Sequence, residues 1–444
     1  MHTINKRRSF LYDNIIKLLE IEDIRNIIDK IDSTSSGNEA IFYIKLLKQN
    51  NLECPICTSK DYTVHDYVDK RIKHSISTNR KSYIIYRSRR YRCLICKKRF
   101  FEPNPFTINK DRISHYTKLS ILEHLKNPSN TFTSTANLFN VTSKTVVNIF
   151  DQYVSPDRNR LPKYLCVDEF HVSKRSKHPY ACLFLDFETK KIIDVLKTRH
   201  KSYLLEYLSS LKHTELDSVK AVIIDMLEPY RDVVTKVLPN TKIAVDSFHV
   251  IKTINDYVNK FRIKVMNRYA GIKEFKTYKN DKYYMLKKFH YFFTKEYDNI
   301  YNGLIPIHKF KISLSKSVIK DFLLSIDNDL KEMYNLKEDY RSFNRNATYD
   351  NAAEQLDDLI HKYRNHRLED IRSFGKMLSN WKEEIVNSFI ITDNKKRLSN
   401  GPIEGTNSRI KTIIKTSNGI KSFKRLRARI IYSINKDVAL KIPE

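Results

Sequence analysis

Four cysteines and a small set of acids stand in patterns that can do chemistry. Cys54 and Cys57 lie in ECPICTSKD (53–61), and Cys93 and Cys96 lie in RCLICKKRF (92–100), giving two CxxC pairs. Each pair offers two thiolates on a tight turn, and two such knuckles supply the four soft ligands of a tetrahedral zinc ion. The 35 residues between the pairs exceed the usual ribbon spacing and read as strands, which predicts an enlarged hairpin. Cys166 and Cys182 stand alone inside apolar runs, where core packing is the simpler reading.

The acids close apolar strands. KYLCVDEFHVS (163–173) carries Asp168, VKAVIIDML (219–227) carries Asp225, and TKIAVDSFHV (241–250) ends on Asp246 and His249. Another acid, Glu404, lies in SNGPIEGTNSRIKTIIK (399–415), where Pro402 can begin a helix. Glu404, Asn407 and Lys411 then recur at i, i+3 and i+7, so one helix face carries an acid, an amide and a cation. A single acid at a strand end is usually a cap or a turn residue. Two at strand ends and a third on a helix can hold two Mg2+ ions, which serve phosphodiester displacement.

Positioning these groups needs a particular order of elements. After the strand bearing Asp168, YACLFLDFET (180–189) and KIIDVLKTRH (191–200) read as two more strands, and KSYLLEYLSSLK (201–212) as a helix. The strand ending at Asp225, the helix EPYRDVVTKVL (228–238) and the strand ending at Asp246 follow. Three hairpin-like strands, then helix, strand, helix, strand, is the order of an RNase H-like sheet, where the Asp168 and Asp225 strands are neighbours. Upstream, 9–31 and 39–49 show helical spacing around the breaker STSSGN (33–38). Residues 117–154 read as a helix-turn-helix with the turn NVT, packed by Ala136, Leu138, Phe139, Val141, Val146 and Ile149. Ser143 would cap its second helix and, with Lys144 and Thr145, face a DNA major groove. Residues 251–395 look entirely helical, with Trp381 in their core, and a basic helical pair occupies 402–437.

The fold class expected is therefore multidomain α+β. Its parts are an N-terminal helical segment (1–50), a zinc ribbon module (51–106) and a helix-turn-helix (107–160). An RNase H-like α/β catalytic domain follows in two parts (161–256 and 396–444), interrupted by an all-helical insertion (257–395). Composition agrees with a polyanionic partner. The 444 residues carry 81 Lys+Arg against 51 Asp+Glu, a net charge of +30, with 41% hydrophobic content that rules out a disordered polycation. Residues 68–100 hold 12 Lys/Arg against Asp69 alone, and 395–436 hold 12 against Glu404 alone, so the excess is clustered. Tyr83, Tyr86 and Tyr91 stand among the first group; they suit a nucleic-acid face or the core of a small zinc module. Seven glycines and no Walker or dinucleotide fingerprint argue against nucleotide-binding loops. Six cysteines are too few for a disulfide scaffold, and no apolar run spans a bilayer, so a cytoplasmic, nucleoid-associated protein without membrane attachment is expected.

With VDEF (167–170), IDMLEPY (224–230), VDSFHV (245–250) and NGPIEGTNSRIKTIIKTSNGIKSFKRLRARI (400–430), the chain resembles an insertion-sequence transposase of the DDE type, closest to the ISL-three family. The resemblance covers nearly the whole chain. It implies a Mg2+-binding triad of Asp168, Asp225 and Glu404, with Asp246 and His249 as a DxxH element. Asp246 is a rival to Asp225 for the second position; strand order favours Asp225. It also implies a bacterial enzyme that binds the terminal inverted repeats of its element, as a homodimer on double-stranded DNA, and performs cleavage and strand transfer. Arg87, Arg89, Arg90, Lys411, Arg425, Arg427 and Arg429 are the expected phosphate contacts. Two other readings use the same residues: a catalytically silent DNA-binding regulator, and a structure-selective RNase H-like nuclease.

Overall fold

The computed structural model describes residues 13–49, 51–76, 80–108, 111–173, 178–270, 281–417 and 420–441. The first elements are α1 (13–19), β1 (Ile28–Ser36), β2 (Glu39–Leu46), β3 (Tyr62–Lys73), β4 (Lys81–Cys93) and β5 (Arg99–Phe101). Three helices follow: α2 (His115–Leu125), α3 (Phe132–Leu138) and α4 (Ser143–Tyr153). Next come β6 (Tyr164–His171), β7 (Tyr180–Asp186), β8 (Ile192–Leu196), α5 (Lys201–Ser209), α6 (His213–Leu216), β9 (Ala221–Ile224), α7 (Glu228–Val237) and β10 (Lys242–Val245). The long helical stretch holds α8 (Ser247–Asn267), α9 (Asp281–Lys288), β11 (Ile305–Ile307), β12 (Ile312–Leu314), α10 (Lys316–Ser325), α11 (Asn328–Asn346), α12 (Ala352–Arg364), α13 (Glu369–Asn380) and α14 (Lys382–Asn387). The last elements are α15 (Gly401–Thr416) and α16 (Phe423–Ile434).

These elements group into two compact bodies, 1–157 with 409–444, and 158–408. The division departs from the boundaries read on sequence, which kept 396–444 together. The basic helix α16 buries Ala428 and Tyr432 among Ile121, Leu122, Val146 and Phe150, so its apolar face belongs to the α2–α4 cluster.

In the first body the sheet order is β1-β2-β4-β3, with β5 on β4. The helical reading of 1–50 gives way here: α1 is helical, residues 1–12 lie outside the described residues, and 28–46 form an antiparallel hairpin. EAIFYIKL is apolar at nearly every position and so fits either period. Gly37 decides it: with φ at 55° it takes the first central position of a two-residue hairpin turn, in which glycine is favoured. β2 then buries Ala40, Phe42, Ile44 and Leu46, every second residue. The ribbon β3–β4 joins two cores by changing its buried face. Ser82, Ile84, Tyr86 and Ser88 are buried on one side, whereas Arg89, Tyr91 and Cys93 are buried on the other. Ile84 and Tyr86 pack with Phe42 and Ile72; Tyr91 and Cys93 pack with Cys54 and Phe100.

Helices α2, α3 and α4 pack around Ile121, Leu122, Ala136, Val146, Ile149 and Phe150, with Phe139 and Val141 against them. Leu138, expected in that core, is 48% exposed. The N-cap of α4 is Thr142, whose hydroxyl accepts the Thr145 N–H, so Ser143 is the first helical residue and not the cap.

The second body is built on a sheet of order β10-β9-β6-β7-β8. β6, β7 and β8 form an antiparallel meander, and β9 and β10 add in parallel on the other edge of β6. β9 is buried at all four positions, as its wholly apolar sequence requires of a strand covered on both faces. Cys166 and Cys182 are core residues of this sheet. The helical stretch does not form a separate core: one continuous cluster runs from Leu161 and Val222 through Val258 and Leu330 to Trp381 and Phe389. It is also not all helix, because β11 and β12 form a short hairpin within it. No helix among the described residues is long and apolar enough to cross a membrane.

Candidate active site and metal centre

Three parallel strands deliver three acids to one edge. β6 pairs with β9 so that Cys166 faces Ile223, and β9 pairs with β10 so that Ile224 faces Val245. Asp225 and Asp246 therefore follow directly on the carboxyl ends of β9 and β10, level with Asp168, which lies inside β6 where that strand runs on past β9 to His171. Open α/β sheets bind ligands at such strand ends. His249 was expected on the strand with Asp246. Instead β10 stops at Val245, α8 begins at Ser247, and His249 occupies its first turn. The imidazole Nδ1 lies 3.2 Å from Asp225 Oδ1 and 3.4 Å from Asp246 Oδ2. Those carboxylates, Asp246 first and then Asp225, hold the His249 pKa above its ordinary value.

Glu404 reaches this edge from the first turn of α15 and is exposed. One ligand atom each from Asp246, His249 and Glu404 lies within 4.8 Å of the others. Two buried asparagines flank Glu404. Asn407 Nδ2 donates to Asp168 Oδ2 at 2.7 Å, and Asn400 Nδ2 donates to Asp225 Oδ1 at 2.8 Å. Asp168 is pushed up to about 7, mainly by burial and then by the charge of Asp225; burial likewise raises Asp225. Glu169, the neighbour of Asp168, points elsewhere: it accepts from Arg199 and from the Tyr230 hydroxyl at 2.9 Å.

The edge has the makings of a hard-cation site. The buried Asp246 Oδ2 and His249 Nδ1 face each other at 3.4 Å, and Asn400 Oδ1 and Asn407 Oδ1 are buried without a hydrogen-bond partner among the described residues. Buried polar atoms are rarely left so. Carboxylate and amide oxygens with one imidazole are the ligands that Mg2+ and Mn2+ accept.

The sulfur cluster lies in the first body. Cys54 Sγ is 3.6 Å from Cys96 Sγ, and Cys57 Sγ is 3.6 Å from Cys93 Sγ. A tetrahedron with metal–sulfur bonds of about 2.3 Å sets its sulfurs about 3.8 Å apart, so the four thiols already approach the arrangement of a four-cysteine metal site. Backbone N–H groups of Cys57 and Ile56 lower the Cys54 pKa. At Cys93 burial opposes, but the N–H groups of Cys96 and Ile95 prevail and bring it to about 7.

The expected phosphate contacts divide. Arg87 is exposed, with its guanidinium 5.4 Å from the Tyr67 ring, and Lys144 and Lys411 are exposed. Arg90 is held by Asp66, Arg425 by Asp151 at 2.8 Å, and Arg427 donates to the Pro156 carbonyl at 2.8 Å. Two expectations are overturned. Arg89 is buried, paired with Glu102 at 3.1 Å and bonded to the Leu46 carbonyl at 2.7 Å. Arg429 is 1% exposed and donates to the carbonyls of Leu125, Asn127 and Asn130. Both satisfy interior acceptors, a use of arginine that a basic sequence run does not distinguish from a surface one. Tyr86 and Tyr91 are likewise core residues, and Tyr83 is half-buried under Arg71 at 3.9 Å. Of the residues missed, Asn400 carried a faint signal in its position four residues before Glu404.

Residues 165–430, more than half of the chain, match the model of a transposase family of the DDE type, the ISL-three group. No curated protein matches the chain.

Proposed function

We propose that this chain, which belongs to the ISL-three family of DDE transposases, cleaves DNA at the terminal inverted repeats of an insertion sequence and joins the freed ends to a target. The observation that carries this reading is the meeting of Asp168, Asp225 and Asp246, level with one another on three adjacent parallel strands, with the segment of Glu404. The strand order of the second body, a three-strand meander extended by two parallel strands, supports an RNase H-like domain.

Asp168, Asp225 and Glu404 would hold two Mg2+ ions in this scheme. Asp225 is favoured over Asp246 because Asp246 is 3% exposed, whereas Asp225 is less buried and its strand adjoins that of Asp168. Bound there, the cations would supply the positive charge that activates water, then a freed 3′-hydroxyl, and that stabilises the leaving oxygen. The protein's own part is to fix the carboxylates before substrate arrives and to keep His249 against Asp225 and Asp246. In the first body the four-cysteine site would carry structural zinc, and α2–α4 would act as a helix-turn-helix with Ser143, Lys144 and Thr145 toward the major groove. Arg87 and Lys411 are its most available phosphate contacts. Two ends must be handled together, which calls for a homodimer on DNA.

The test is strand transfer on end-containing DNA with Mg2+. Asp168→Asn, Asp225→Asn and Glu404→Gln should each lose activity by at least about a thousandfold, in keeping with removal of a metal-holding acid, while end binding persists. Full activity in Asp225→Asn with loss in Asp246→Asn would transfer the role to Asp246. Absence of any divalent-dependent cleavage, with specific binding intact, would leave a DNA-binding regulator.

A further inference from the structure

We infer that Asn400 and Asn407 are positioning residues that aim Asp225 and Asp168 at the divalent cations of the reaction proposed above, on which this inference rests. Eight residues, Asn400 to Asn407, reach all the acids of the site. Asn400 alone touches two of the carboxylates and opens the helix of the third acid. Its backbone N–H donates to Asp246 Oδ1 at 3.0 Å, its side-chain Nδ2 donates to Asp225 Oδ1 at 2.8 Å, and its carbonyl accepts the Glu404 N–H at 2.9 Å. Asn407, one turn beyond Glu404, donates to Asp168 Oδ2 at 2.7 Å, while the Glu169 N–H holds Asp168 Oδ1 at 2.7 Å. The carboxylate of Asp168 is therefore gripped at both oxygens and that of Asp225 at one, which fixes their rotation and leaves lone pairs toward the edge.

The cost of this arrangement argues for its purpose. Asn400 is fully buried and Asn407 is 5% exposed, although Glu404 between them is exposed. Each side chain satisfies its N–H on an aspartate and leaves its own Oδ1 without a partner among the described residues. The amide orientation is set by chemistry, since a carboxylate accepts only from the Nδ2 side. Asn400 precedes the first residue of α15, where an asparagine ordinarily turns its Oδ1 back onto helix N–H groups as a cap. Here that oxygen is unpaired and the amide is turned to Asp225. A residue kept for stability would complete its hydrogen bonds; these two complete those of the acids.

The experiment uses the full chain with zinc retained, and calorimetric titration of Mn2+ into wild type, Asn400→Ala, Asn407→Ala and Asp168→Asn. Trp381, buried in the same body, reports by fluorescence that each variant is folded. Partners that orient metal ligands typically contribute 10–100-fold in affinity, so each asparagine variant should bind Mn2+ 10–100-fold more weakly. The Mg2+ concentration for half-maximal cleavage should rise by the same factor, with the maximal rate recovered to within a few-fold at saturation. Alanine is a good helix former, so Asn407→Ala keeps the test alive should Asn400→Ala fail to fold. A folded Asn407→Ala with Mn2+ affinity within twofold of wild type, beside a clear loss in Asp168→Asn, would overturn the positioning role and leave the metal site standing. Unchanged affinity in Asp168→Asn as well would remove the site itself and the inference with it.

Discussion

Replacing Arg429 by methionine should destabilise the first body, not weaken its grip on DNA. The guanidinium is 1% exposed and satisfies the Leu125, Asn127 and Asn130 carbonyls just beyond the C-terminal end of α2, with Ser433 beside it. Charge-assisted hydrogen bonds contribute about 1.5–3 kcal/mol each, so three amount to roughly 6 kcal/mol. Against this, burial lowers the Arg429 pKa from 12.5 to about 10, a penalty on the charged form of roughly 3 kcal/mol that methionine escapes. The net expected loss is about 3 kcal/mol, or roughly 6–12 °C in Tm for a body of this size. Circular dichroism and hydrogen exchange over 115–153 would show the change. Trp381, the only tryptophan, lies in the other body and serves as an internal control. Well below the melting temperature, the slope of log affinity for end DNA against log salt should equal that of wild type. A variant that melts within 2 °C of wild type while its slope falls by about one would refute the burial argument and restore Arg429 as a phosphate contact.

Two further outcomes follow from the candidate sites. In metal-free protein the Asp168 carboxyl titrates at about 7 when folded and at 3.8 when unfolded. Its contribution is thus fully present below about pH 3.8 and is lost as pH rises to 7; the difference is worth about 4 kcal/mol. Urea unfolding followed by Trp381 should therefore show wild type losing that much more stability than Asp168→Asn over this range, and a constant gap between the two would count against it. Chelating the zinc proposed for Cys54, Cys57, Cys93 and Cys96 should raise hydrogen exchange at 52–62 and 91–101 by roughly tenfold or more, because among the described residues the core there is only Cys54, Tyr91, Cys93, Phe100 and their partly buried neighbours. End binding should fall with it; unchanged exchange would make the metal dispensable to that fold.

What the sequence made legible was local. Two CxxC knuckles announce a tetrahedral site because the ligands of each half are three residues apart, and the three aspartates announce themselves because each closes an apolar run. The hairpin at 28–46 was not legible, since EAIFYIKL is apolar at positions that suit both a helix and a strand, and only the turn geometry at Gly37 separates them. Arginine is ambiguous for another reason. Its long side chain serves equally on a phosphate, as Arg87 is free to, or deep against carbonyls, as Arg89 and Arg429 do, and the two uses leave the same letter in the same basic run. Asn400 lies 175 residues from the aspartate it holds, a pairing that only the fold creates.

That separation bears on why a helical block stands between Asp246 and Glu404. A flexible loop of some 150 residues would add about 4–5 kcal/mol of closure entropy to bringing Glu404 home, before any precision in its placement. The block avoids this by sharing the core of the sheet it interrupts. Asn387, at the end of α14, donates to the Ile243 carbonyl of β10 at 2.9 Å, and the Leu398 N–H returns to the Ile390 carbonyl at 3.2 Å. Arg397 stacks on Phe389 at 3.6 Å and bonds to Asn344 on α11 at 2.8 Å. The chain is thus anchored to the sheet at Asn387 and to the helical block at Arg397, three residues before Asn400, and the acids are set by a packed path of side chains. Loosening that path, for instance at Arg397, should reach the acids through Asn400 and register as weaker Mn2+ binding before it registers as lost fold.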